Sequence, residues 1–197
     1  MKGYLILLVS LLFTASALAQ NSIDLMQYEP SSEHPFGQLN PNGPAELADF
    51  APMIGMCDCW SLNRNPDGSW QDTLEMVWKF KYIMNGYGVQ DEVWREGEIY
   101  AGSIRQFQPD SGKWVVTYFS YPAVSTTPGV WLGNKTGDDI VLKMPQKAPN
   151  GMEGYSRLTF HSMSEKGYGW KGEWVSENGQ ITYPFWKIGC KKRQEGK

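Results

Sequence analysis

The sequence predicts an all-β protein, an antiparallel up-and-down β-barrel of eight to ten strands with a short N-terminal helix ahead of it. Two observations carry the prediction. From 69 to 84 apolar and polar residues alternate with period two. Trp70, Leu74, Met76, Trp78, Phe80, Tyr82 and Met84 fall on one side, and Ser69, Gln71, Thr73, Glu75, Lys79 and Lys81 on the other. Such alternation marks an antiparallel sheet buried on one face only. Turn-forming clusters also recur along the chain, among them Asn65-Pro66-Asp67-Gly68, Asn85-Gly86, Pro109-Asp110-Ser111-Gly112 and Asn178-Gly179, with no helical stretch between them.

The elements follow in order. Met1 and Lys2 precede an almost wholly apolar run from Tyr4 to Phe13, and Ala17-Leu18-Ala19 offers small residues where a signal peptidase reads. A signal peptide over 1–19 is therefore expected, because the run is far short of the ~20 residues that cross a bilayer. After cleavage no other segment is long and apolar enough to span a membrane. The mature chain is expected in a periplasm or outside the cell. Between 20 and 43, Pro30, Pro35 and Pro41 interrupt any regular element and predict an irregular arm. A short helix fits 44–50, where Pro44 suits the first helical position, Leu47 and Phe50 share a face, and Pro52 ends it. The arm with its helix is thus assigned 20–49, and the barrel domain 50–193.

Besides 69–84, strands are expected at 56–63, 89–95, 98–107, 113–121, 129–134, 140–144, 154–162, 168–176 and 180–190. Short connections favour sequence neighbours pairing in space, and closure would remove the exposed edges. In the first strand Met56, Trp60 and Leu62 are expected inward, which sends Cys57 and Cys59 outward. In the last strand Lys187 on the odd positions turns Cys190 inward.

A formal charge of −3 with dispersed basic residues excludes a binder driven by phosphate neutralisation, so no nucleic-acid partner is expected. No Gly-x-Ser-x-Gly, His-Glu-x-x-His or phosphate-binding glycine loop is present, so no catalytic residue is assigned. Asp91-Glu92 and Asp138-Asp139 read as solvated charge, since adjacent residues point apart.

A short helix leading into a Gly-then-Trp first strand, Gly55 to Trp60, and on into a meander resembles the calycin superfamily of lipocalins, fatty-acid-binding proteins and their relatives. The stretch Ile104-Arg105-Gln106-Phe107-Gln108-Pro109-Asp110-Ser111-Gly112-Lys113-Trp114, with Pro66-Asp67-Gly68 ahead of a Trp, resembles a group of secreted bacterial lipocalin-like domains. The similarity runs from about Phe50 to the C-terminus. It implies the fold and no settled activity.

What fills the barrel decides function. Trp78, Phe80, Tyr82, Trp170 and Trp174 lie on the face assigned inward, where they either pack the core or wall a ligand cavity. Arg105 and Arg157 sit mid-strand. Turned inward, either would anchor a carboxylate; turned outward, the simpler arrangement, each lays its stem along the sheet. Cys57 and Cys59 in the first strand and Cys190 in the last are disulfide candidates, because closure makes those strands neighbours. A C-x-C with one distant Cys lacks the paired spacing of a structural zinc site, so no metal is expected. Some calycin relatives hold haem through a histidine. Here Leu158 and Phe160 claim the inner face, sending His161 outward with Arg157, and no cofactor is assigned. Two Pro-containing stretches, 121–129 and 145–154, exceed what a hairpin needs and flank the rims of the barrel. The predicted function is non-catalytic binding of a small hydrophobic or amphipathic ligand. The alternatives are an isomerase- or cyclase-type enzyme acting on an apolar substrate, or a surface interaction module whose tryptophans close the interior. No oligomeric state is assigned.

Overall fold

A computed structural model describes residues 26–194. The signal peptide expected over 1–19 lies outside the described residues. A 3₁₀ helix (Ala45–Met53) leads into ten strands: β1 (Gly55–Asn63), β2 (Leu74–Ile83), β3 (Gly88–Arg95), β4 (Glu98–Gln108), β5 (Lys113–Ser120), β6 (Val130–Thr136), β7 (Asp139–Pro145), β8 (Gly154–Ser164), β9 (Gly167–Ser176) and β10 (Thr182–Lys192). Each strand pairs antiparallel with its sequence neighbours, and β1 pairs with β10, so the meander closes on itself. No helix among the described residues is long and apolar enough to cross a membrane.

The helix differs from expectation in an informative way. It continues through Pro52 to Met53 as a 3₁₀ helix, whose three residues per turn stack positions i and i+3 in one row. Leu47, Phe50 and Met53 form that row and are almost completely buried. The arm before it is irregular, as its prolines require, yet it is bound to the barrel. Tyr82 N–H donates to Phe36 O at 2.8 Å, and the buried Asn40 donates its side-chain amide to Asn85 O at 2.9 Å.

Three face assignments need correction. In β1 the inward side chains are Cys57, Cys59 and Ser61, not Met56, Trp60 and Leu62. The register explains this: Gly55, Cys57 and Cys59 stand opposite Phe80, Trp78 and Met76, whose side chains fill the interior. Trp60 lies outside against Gly189, where a Cβ would come within 2.4 Å of its indole. Trp70 is not in β2. The ladder stops at Ser61 opposite Leu74, while Arg64 and Trp70 form a small hairpin of their own, with the Lys187 ammonium 4.5 Å from the Trp70 ring. Met84 belongs to the β2–β3 turn, at φ 56 and exposed.

The same register selects the disulfide. Cys59 faces Cys190 directly across the β1–β10 seam and is bonded to it, whereas Cys57 faces Lys192 and Trp78 and remains a buried free thiol. Burial pushes the Cys57 thiol pKa up, against the lowering effects of Lys192 and the Tyr168 hydroxyl. The cross-link spans a sequence separation of 131 residues, a long loop to close in the unfolded chain. Cys59→Ser, or reduction under non-denaturing conditions, should lower the unfolding free energy by about 2–4 kcal/mol in urea titrations. Cys57 should resist thiol reagents until the barrel unfolds.

Tyr82 gives a second prediction. Burial pushes its pKa up to about 12, and its hydroxyl donates to Leu47 O at 3.4 Å. The neutral phenol is favoured in the folded state, so its contribution is fully present below pH 10 and is lost as pH rises toward 12. Alkaline denaturation followed by circular dichroism should steepen in that window, and Tyr82→Phe should flatten it.

Candidate functional site

The two ends of the barrel differ. At one end the helix plugs the opening: Phe50 packs edge-on against Trp114 at 4.7 Å and against Phe160 at 6.0 Å between ring centroids. Phe80 and Tyr168 complete this packed layer. At the other end the β1–β2, β3–β4, β5–β6, β7–β8 and β9–β10 connections surround a mouth, because alternate strands run in the same direction. Both Pro-containing stretches, 121–129 and 145–154, therefore stand on the same rim.

Between mouth and packed layer lies a cavity of about 370 Å³, walled by Trp78, Trp170, Trp186, Val116, Leu142 and Leu158, with Phe160 below. A fully packed interior would lack it. Its volume is toward the low end of ligand pockets, which run roughly 300–1,000 Å³. Larger hollows of about 900 and 1250 Å³ lie outside the barrel, but charged side chains including Asp58, Lys79, Lys192 and Arg193 line them. The interior one has the apolar, concave character of a small-molecule site.

One charged network sits in the wall. Asp91 accepts from Trp78 Nε1 at 2.7 Å and also from the Ser103 hydroxyl and an Arg105 guanidinium nitrogen. Both Asp91 and Arg105 are buried, at 3% and 2% exposure. The Arg105 guanidinium lies over the rings of Phe50, Phe80 and Phe160 at 5.1, 4.8 and 5.6 Å. A buried ion pair needs further hydrogen bonds and ring contacts in place of the lost water; Trp78 and Ser103 supply them to Asp91 and three rings cover Arg105, whose Nε has no hydrogen-bond partner among the described residues. This overturns two expectations: Asp91 is not solvated, and Arg105 does not turn outward. The β3–β4 register sets Val89 opposite Arg105 and Asp91 opposite Ser103, all on the inner face. The signal was present in the sequence, since Val89, Asp91 and Val93 alternate. Glu92 does turn outward, to Lys79 and Lys81.

The other predicted side chains separate by depth. Trp78, Arg105 and Trp170 border the cavity, while Phe80 and Tyr82 lie outside it in the buried core. Trp174 stands near the rim with its indole over Gly154, donating Nε1–H to Gln146 O at 2.9 Å, and does not border the cavity. Arg157 does not reach the interior either. It pairs with Glu173 at 3.0 Å, and Lys171 approaches the same carboxylate at 3.6 Å. His161 rests against Gly169 on the outer face, and no histidine borders the cavity. Among the described residues no cluster of His, Cys, Asp and Glu has the arrangement of a metal site.

The mouth was not legible in the sequence. Arg95, Tyr100, Tyr118 and Gln146 border it. A register shift between Val93 and Trp94 accompanies this, setting Val93 opposite Ala101 and Trp94 opposite Ile99, so that Tyr100 joins Ala101 on the cavity wall. Arg95 stacks on Tyr100 at 4.1 Å, and its buried Nε, like that of Arg105, has no hydrogen-bond partner among the described residues. Tyr118 has its pKa raised by burial, with the Asp91 charge adding to the rise and Arg95 opposing it.

This closed ten-strand meander, plugged by a short helix and hollow toward the other end, defines a calycin-like fold. Rv2717c from M. tuberculosis shares it, with a TM-score of 0.52 at 12% identity over 80% of this chain and 100% of that one. The S-type phycobiliprotein lyase CPES from Guillardia theta aligns over 78% of this chain and 99% of its own, at TM-score 0.47 and 8% identity. EF1p2_mFAP2b bound to DFHBI aligns over 76% and 100%, at TM-score 0.34 and 12% identity. No protein-family model and no curated protein matches the sequence.

The Asp91–Arg105 pair yields a prediction. Asp91→Ala leaves the guanidinium buried without its counter-charge and should cost about 3–5 kcal/mol in urea unfolding. The double variant Asp91→Leu, Arg105→Met should recover most of that loss.

Proposed function

We propose that this is an exported, calycin-like carrier or sensor that takes a small hydrophobic or amphipathic ligand into the barrel without chemical transformation. The observation that carries the proposal is the interior cavity, whose wall is largely aromatic and aliphatic and whose deep charges are paired with each other. Water in such a space has few partners, so an apolar ligand that displaces it gains contact and releases poorly held solvent. At liquid density the volume corresponds to roughly a dozen waters, which sets the ligand's bulk. Trp78, Trp170 and Arg105 are the residues proposed to border it. The disulfide supports export, because such bonds persist in oxidising compartments. We assign the leader to 1–19, the arm to 20–49 and the barrel domain to 50–193.

The neutral probe 1-aminoanthracene should brighten on entering the cavity and quench tryptophan fluorescence. Ala101→Phe, which fills the cavity from its wall, should weaken that binding at least tenfold while leaving urea stability close to wild type. Native mass spectrometry of protein purified without denaturation should reveal any co-purifying ligand. A bare native mass together with no response to any apolar probe would overturn the proposal.

A further inference from the structure

A second apolar hollow, of about 400 Å³, adjoins the barrel cavity and shares Ala101 and Tyr118 with it. It lies under the β5–β6 connection, and the register explains how it opens. The β5–β6 ladder ends at Thr117 opposite Val130, while β5 continues along β4 as far as Ser120 opposite Ala101. Beyond Thr117 the chain therefore leaves β6 and returns to it through an arch, 121–129. Tyr118 N–H donates to Gly129 O and Tyr121 N–H to Tyr100 O, each at 3.0 Å, so the arch is pinned at both feet. Pro122 and Pro128 stiffen its backbone. From Trp114 to Asn134 no residue is charged, and no charged residue lines the hollow. On the arch Tyr121 and Val124 are 74% and 87% exposed, which leaves large apolar side chains in water beside an apolar hollow.

We infer that this hollow is a second subsite, and that the ligand is an elongated, uncharged apolar molecule with one part in the barrel cavity and the other beneath the β5–β6 arch. The inference rests on the ligand-binding proposal above and adds to it the ligand's length and the place of its outer part. Continuity of the two spaces carries it. They meet at the Tyr118 ring and the Ala101 methyl, and a methyl is the shortest partition that a side chain with a Cβ can make. Absence of charge sets the class. A charged group beneath the arch would find no counter-charge, and its lost hydration would go uncompensated. An apolar chain laid there covers Phe119, Tyr121 and Val124, and each methylene that leaves water strengthens binding. Because the arch is already pinned, little freedom is lost when the chain enters.

The experiment measures displacement of 1-aminoanthracene by unbranched primary alcohols from octanol to hexadecanol, on wild type and on Ala123→Trp, which adds bulk to the arch. The barrel cavity alone holds roughly a dozen non-hydrogen atoms at liquid density, so octanol fits within it and hexadecanol does not. In wild type affinity should keep rising to hexadecanol, by about twofold or more per methylene. In Ala123→Trp the rise should stop near dodecanol while octanol binds as in wild type, and that unchanged affinity shows that the variant is folded. A rise that stops at the same length in both proteins, or Ala123→Trp weakening octanol and hexadecanol alike, would overturn the second subsite and leave the carrier proposal standing. Sedimentation of wild type, free of alcohol, as a dimer or with phosphatidylcholine vesicles, lost in Ala123→Trp, would give the arch to a second copy or to a lipid surface and overturn the subsite as well. Wild type binding no alcohol and no neutral probe would overturn both proposals.

Discussion

Closure of the sheet between β1 and β10 is the constraint on which the rest depends. In an open meander the first and last strands are edges, and nothing fixes which of their faces turns inward. Pairing Cys59 with Cys190 and Ser61 with Ile188 sets β1 in a single register between β10 and β2. That register puts Cys57, Cys59 and Ser61 inside and leaves Trp60 outside over Gly189. The disulfide lies at this seam, where the residues it joins are far apart in sequence and the unfolded chain loses the most freedom by their connection.

Closure also makes an inside with two distinct halves. The helix supplies three stacked apolar residues that fill one end, and the rings of Phe80, Phe160 and Tyr168 interlock beside that of Phe50. Toward the other end the strands carry smaller inward residues, among them Ala101, Ser103, Val116 and Ser156, and the space between the tryptophans stays open. Packing and vacancy thus come from the same alternation, with side-chain size deciding which prevails.

Electrostatics follows the same division. The deep charges, Asp91 and Arg105, are paired with each other and buried. At the mouth Arg95 stacks on Tyr100 and makes no ion pair among the described residues.

The sequence by itself determined the class and nearly all of the strand order, because period-two alternation and turn chemistry are local properties of the chain. It also determined that Leu47 and Phe50 share a face, and that Trp78 and Trp170 point inward with the core residues around them. Tertiary structure decided what depends on pairing partners: the face of β1, the choice of Cys59 over Cys57, and the exclusion of Trp70 from β2. It decided as well that Arg105 is buried, because a charged side chain turns inward only where another strand supplies its counter-charge, and Asp91 reaches it from β3. The openness of the cavity is of the same kind. It depends on the summed volumes of side chains from nine strands, β2 to β10, meeting in one space, and no stretch of sequence contains that sum.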